Sequence, residues 1–202
     1  EAKTVLDQAK SKGAQGDGFD KLEQRLKEHL LDNGIIKRLE TKSQSCLDVA
    51  IQLRDNGKLS QAIGLLKEEI NRLPEDTDLL ALLSHCCILD DQLEEARLYL
   101  AKARSIAPDN ASVGWNTARL QLKEQKPLEA LNVAREVSLR FPADIEGMGV
   151  LGACLKANGK INESLEVLNR TIELNPNYAE ALVNRGLIRL EQGKKPEALA
   201  DL

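Results

Sequence analysis

Four prolines, Pro74, Pro108, Pro142 and Pro176, lie 34 residues apart. A fixed period of that length means that one supersecondary unit is repeated and stacked, because a unit so short buries its apolar face only against its neighbours. Written in blocks from Ser43, the chain places Ala50, Ser84, Ala118, Gly152 and Gly186 in one column and Ala62, Ala96, Ala130, Ser164 and Ala198 in another. Both columns hold only small side chains. One helical turn past the second column come Leu66, Leu100, Ala134, Leu168 and Leu202, on the same helix face. Small residues at matched positions let two helices cross closely, and the larger side chain fills the groove beside the crossing.

The block boundaries are legible too. Asn56-Gly57, Asn158-Gly159 and Gln192-Gly193 close a first helix with a residue suited to the left-handed conformation. Pro127 and Pro196 stand where a second helix begins, a position that needs no N–H donor. The periodic prolines end that helix, and Asp, Asn or Thr follows to start the next block. Aromatic residues make up only 2% of the chain, so the core is built from Leu, Ile, Val and Ala, which favours helices and argues against a β-sandwich. The blocks run 43–76, 77–110, 111–144 and 145–178, with a partial fifth over 179–202.

Within the fourth block, Met148, Leu151, Gly152, Leu155, Ser164, Leu168 and Pro176 reproduce a known pattern. The chain resembles the tetratricopeptide repeat (TPR) family over residues 43–202. That resemblance implies an all-α, right-handed superhelical α-solenoid of helix-turn-helix repeats. The third copy departs most, with Gly114, Thr117 and Gln121 where the others mostly place large apolar side chains; it is expected to pack most loosely. Because a solenoid needs a polar-faced terminal helix, further chain is expected beyond Leu202. At the other end, Glu-Ala-Lys-Thr lacks an initiator Met and a secretory pattern, as expected of a processed or excised chain.

Residues 1–42 do not fit the register and form a separate N-terminal helical cap and linker region. A short charged helix, Ala2 to Lys10, leads into a glycine-rich linker, and Phe19, Leu22, Leu26 and Leu30 make one apolar stripe. That stripe caps the open end of the solenoid, or else joins two copies of the chain or occupies the chain's own groove.

Charge and composition exclude several functions. Twenty-eight basic against thirty-two acidic side chains leave a net charge of −4, the wrong sign for nucleic-acid binding through phosphates. No apolar run approaches the roughly 18 residues of a membrane helix. The cysteines, Cys46, Cys86, Cys87 and Cys154, have neither a paired C-x-x-C spacing nor a nearby His cluster, so they read as buried thiols. His29 and His85 are the only groups that titrate near neutrality. His85 adjoins the cysteine pair, but consecutive helical residues point apart and no Asn or Asp is spaced to orient the imidazole. No metal cluster or cofactor loop is present, so no cofactor is expected and the segment reads as a non-enzyme.

The resemblance implies that first helices line a concave groove that meets ligands. Carried onto this chain, the groove positions are Leu47, Asp48 and Ile51; Asp78, Ala81, Leu82, His85, Ile88 and Leu89; Trp115, Asn116, Arg119 and Lys123; Gly149, Val150, Ala153 and Lys156; and Val183, Asn184 and Leu187. Trp115 falls one residue past the column that the family buries. It is therefore expected to face the groove, where Trp beside Arg makes a binding hot spot; a local shift of the third repeat would pack it inside instead. Two family specialisations fit poorly. A carboxylate clamp needs Lys in the column that holds Gln44, Asp78, Ser112, Glu146 and Glu180, and the asparagine ladder of O-linked glycosyltransferases is met only by Asn116 and Asn184.

These features predict a cytoplasmic protein-interaction scaffold that binds an extended or amphipathic helical peptide, with Arg119, Lys123 and Lys156 favouring an acidic flank. The alternative is the substrate-recruiting arm of a larger transferase, of O-linked glycosyltransferase or sulfotransferase type, whose catalytic domain lies beyond Leu202.

Overall fold

The computed structural model describes residues 44–202. The expectations for the Ala2–Lys10 helix, the glycine linker, the Phe19–Leu30 stripe with its dimerisation role, and His29 lie outside the described residues. Two compact units are distinguished, Glu1–Asp48 and Val49–Leu202.

Ten helices run through the described residues, and no strand is found among them. They are α1 (44–55), α2 (Leu59–Ile70), α3 (Thr77–Leu89), α4 (Leu93–Ile106), α5 (Ala111–Lys123), α6 (Pro127–Arg140), α7 (Ile145–Ala157), α8 (Ile161–Leu174), α9 (Ala179–Glu191) and α10 (Lys195–Asp201). In the second unit each helix packs on the next, and the first helices also touch one another, α3 on α5, α5 on α7 and α7 on α9. This stacking of helix pairs is a right-handed superhelical α-solenoid.

The two small-residue columns are where the helices of a pair meet. Ala50, Ser84 and Ala118 of the first column, and Ala62, Ala96, Ala130, Ser164 and Ala198 of the second, are fully buried. In the fourth repeat the approach is close enough for Ser164 Oγ to donate to the Gly152 carbonyl at 2.7 Å. A Cβ on Gly152 would stand 2.5 Å from Leu168 Cδ2, so the large residue one turn on fills the space that the missing side chain leaves.

Capping follows the block boundaries. Asp76 accepts from the amides of Asp78 and Leu79, Asn110 from Val113 and Asp144 from Gly147, each at the start of a first helix. Pro127 and Pro196 fall in the first turn of α6 and α10. First helices end at a residue of positive φ in every repeat: Gly57, Gly159 and Gly193, and at the same register Asp91 and Gln125, both at φ 61°. The geometry of this turn outranks residue preference, so two positions without the glycine signal adopt it all the same.

The third repeat is not the loosely packed copy that its composition suggested. It supplies Trp115, Ala118, Ala130, Leu131, Ala134 and Val137 to a buried cluster completed by Val150, Cys154 and Leu155 of the fourth. Gly114, one of its departures, makes room for Val137, whose Cγ2 lies 2.5 Å from where a Cβ would be.

Gln125 holds a left-handed backbone at a side-chain cost that glycine does not have. Gln125→Gly is therefore expected to stabilise the chain by about 1 kcal/mol, read as a rise in urea midpoint at unchanged slope; an unchanged or lower midpoint would show that this turn is relaxed as it stands.

Candidate functional site

Where α3, α5 and α7 lie side by side, they join the end of α1 and the turn into α9 around a concavity of about 830 Å³. Ile88 and Leu89 from α3, Leu122 from α5 and Tyr178 before α9 supply its apolar lining. Its charged groups are Arg54, Asp55, Arg119, Lys123, Glu146 and Glu180, with His85 beside them. Volume and lining are of the kind that holds a small ligand or a few side chains of a peptide.

Arg119 organises one end of it. The residue is only 8% exposed. One guanidinium nitrogen donates to Asn116 Oδ1 at 2.9 Å and to Glu146 Oε1 at 2.9 Å, and the other donates to Glu180 Oε2 at 2.8 Å. Burial works against the charge, but Glu180 and Glu146 outweigh it and hold the guanidinium more firmly protonated than usual. Arg119 thus ties the first helices of three successive repeats, and its fork geometry is what allows one side chain to do so. The Tyr178 hydroxyl also donates to Glu180 Oε2, at 3.1 Å. Burial, then Glu180, push the phenol upward and keep it neutral.

His85 faces the same space. An arginine only donates, so the 3.4 Å contact with Arg54 makes His85 Nδ1 the acceptor and places the ring proton on Nε2. Burial first, then Arg119 and Arg54, lower the imidazole well below its ordinary range. His85 is a neutral group across the physiological range, with an Nε2–H that has no partner among the described residues.

The exposed hot spot expected at Trp115 is not there. Trp115 is 1% exposed, and its Nε1–H donates to Asp144 Oδ2 at 2.7 Å. The ring lies on Gly147, where a Cβ would stand 2.1 Å from its Cε2. Gly149, two residues on, makes the same room for the Tyr178 ring, with Cε1 at 2.6 Å. Two side-chain-free positions in α7 therefore take up two aromatic rings, and burial of so large a ring outweighs the roughly 1 kcal/mol each that glycine costs within a helix. Asp144 does double duty, because its other oxygen caps α7.

The other expected groove residues scatter. His85, Ile88, Arg119 and Lys123 line the concavity. Leu82 and Asn116 are buried instead; Asn116 Nδ2 donates to the Ala81 carbonyl at 2.9 Å while its oxygen holds Arg119. Asp78 is exposed and accepts from Asn110 at 3.4 Å, and Asn184 donates to the Glu180 carbonyl at 2.9 Å. Ile51 is exposed and Lys156 half-buried, both away from the concavity; Leu47 belongs to the first unit. Arg119 is no handle for an acidic flank, since two carboxylates already occupy it. Arg54, Asp55, Leu122, Glu146, Tyr178 and Glu180 were missed as site residues. Glu146 and Glu180 did carry a signal, being one repeat apart in one column, but nothing in the spacing pairs them with Arg119.

Cys86, Cys87 and Cys154 are fully buried. Burial pushes their thiols up to about 11, 12 and 12, which leaves them protonated and inert.

Residues 53–120 match a family model described as tetratricopeptide repeat, and residues 153–193 match one described as TPR repeat. No curated protein matches the chain. Among solved structures it is similar to TTC0263, a thermophilic TPR protein of Thermus thermophilus, at 16% identity and a TM-score of 0.67, covering 78% of this chain and 87% of that one. It is also similar to pilF of Pseudomonas aeruginosa, at 18% identity and TM-score 0.57 over 78% of this chain and 72% of that one. MamA 41-end from Desulfovibrio magneticus RS-1 aligns at 16% identity and TM-score 0.52, over 78% and 89%.

Trp115 is the chain's one tryptophan, so its fluorescence reads this packing directly. Emission is expected to be blue-shifted and resistant to iodide quenching. Gly147→Ala, which helix propensity alone would make stabilising, is expected to cost about 3 kcal/mol through overpacking and to shift that emission to the red; a neutral or stabilising outcome would mean the ring is seated elsewhere. His85 adds a pH effect. The unfolded chain takes up its proton at the ordinary histidine value and the folded chain resists it, so stability falls as pH drops below that value. The slope approaches about 1.4 kcal/mol per pH unit for this one group. Urea unfolding at pH 7 and pH 5 should show the loss in the native sequence and a smaller one in His85→Gln.

Proposed function

Because the chain belongs to the tetratricopeptide repeat family, we propose that it is an interaction scaffold that anchors a peptide segment of a partner protein in the concavity between α3, α5 and α7. The observation that carries this reading is the lining itself: an exposed Leu89, with the partly buried Leu122 and Tyr178, beside polar groups that hold one another in place. Leu89 is 46% exposed there, while Arg119, Glu146, Glu180 and Tyr178 are locked by mutual hydrogen bonds. A partner meets a preorganised surface and loses little free energy to ordering it. The free Nε2–H of His85 suits a backbone carbonyl of an extended segment.

Binding without chemistry is the favoured mode, since the cysteines beside His85 are protonated and buried. The transferase-arm alternative has no comparable support: the Asn116 amide is committed to Ala81 and its oxygen to Arg119, so the asparagine column lacks a free rung there. Among the described residues no helix is long and apolar enough to cross a membrane.

Selection of a phage-displayed random dodecapeptide library on the full chain tests the reading. Peptides enriched on the native protein are expected to bind Leu89→Asp at least roughly tenfold more weakly, the equivalent of about 1.4 kcal/mol of lost apolar contact, with equal helicity by circular dichroism. Equal binding by both proteins would place the binding surface elsewhere.

A further inference from the structure

Three cations and three carboxylates line the concavity, but they are unevenly distributed. Arg54 pairs with Asp55 at 2.8 Å, and Lys123 lies 3.5 Å from Asp91. Arg119 faces two carboxylates, Glu146 and Glu180, so that cluster carries one uncompensated negative charge. Each carboxylate gives Arg119 one oxygen. Glu146 Oε2 and Glu180 Oε1 have no partner among the described residues. These side chains are 43% and 32% exposed, so the oxygens are open to a ligand. A carboxylate oxygen only accepts hydrogen bonds, and what satisfies it is a donor, best a charged one. The Tyr178 ring lines the same end, and an aromatic face adds attraction for a cation. On the other side the unpartnered Nε2–H of His85, a ring kept uncharged by burial first and then by Arg119 and Arg54, calls for an acceptor.

The geometry points to a basic residue next to an apolar one as the recognised element: the ammonium or guanidinium of a partner's Lys or Arg takes the free oxygens of Glu146 and Glu180 across from Tyr178. The adjoining apolar side chain lies on Leu89 and Leu122, and a backbone carbonyl accepts from His85. This rests on the peptide-groove reading and reverses the acidic preference that the sequence suggested. An acidic ligand at Arg119 would have to displace Glu146 or Glu180, and both are tethered beside it at high effective concentration.

The same dodecapeptide selection decides the matter when the charges of the enriched sequences are counted. Lys or Arg within three residues of an apolar side chain should be enriched at least threefold over the input library. For a peptide so selected, Glu146→Gln should weaken binding at least tenfold. Replacing the peptide's basic residue by Gln should do the same to the native protein. The Gln-substituted peptide should bind native protein and Glu146→Gln within twofold of each other, a coupling that a merely structural role for Glu146 does not produce. Enriched peptides that lack a basic bias, or favour Asp and Glu, yet lose binding in Leu89→Asp would overturn the cation assignment and leave the groove reading standing. No enrichment, or enrichment indifferent to Leu89→Asp, overturns both.

Discussion

Helix pairs in the second unit bury a column of residues that carry no more than a hydroxymethyl group. Ser164 reaches the Gly152 carbonyl across their crossing, and Ala62, Ala96, Ala130 and Ala198 mark the same point in the other repeats, all fully buried. Axes brought this close leave no slack, and in the fourth repeat the large residue one turn on, Leu168, fills the one space left beside Gly152. The stack inherits its regularity from that constraint. Each repeat presents its first helix at a fixed distance from the next, and a cavity bounded by three such helices exists because their spacing is set elsewhere.

On that frame the fourth repeat works by subtraction. Gly147 and Gly149 remove two side chains from the start of α7, and the space is taken by Trp115 from the repeat before and Tyr178 from the turn into α9. With Trp115 drawn under α7, the side of α5 toward the concavity is left to Arg119, Leu122 and Lys123. Tyr178, seated on Gly149, brings its hydroxyl to Glu180, the same carboxylate that Arg119 holds. The aromatic packing and the ionic cluster are therefore one arrangement, and disturbing Gly149 would disturb the carboxylates through the ring above it.

The fold was legible from periodicity because burial in a stack repeats with the chain: the proline period, the small-residue columns and the caps at Asp76, Asn110 and Asp144 are each a local consequence of one unit copied several times. The left-handed turns at Asp91 and Gln125 lack the glycine signal, and only their register, 34 residues apart between Gly57 and Gly159, points to them. Trp115 was misread. Its register was right for the groove, but helix register says which way a side chain leaves the backbone, not which cavity a neighbouring helix leaves open.

What the sequence by itself determined is the solenoid, its element boundaries and the identity of the residues at the crossings, because these depend on contacts within a repeat or between a repeat and its next copy. What only the tertiary structure decided is the site. Arg119 meets Glu146 and Glu180 across 27 and 61 residues, and His85 is neutral because it is buried and because Arg119, on a different helix, lies near it. A charge that is spent and a charge that is free look alike in a sequence; the difference lies in distances that only the packed superhelix sets.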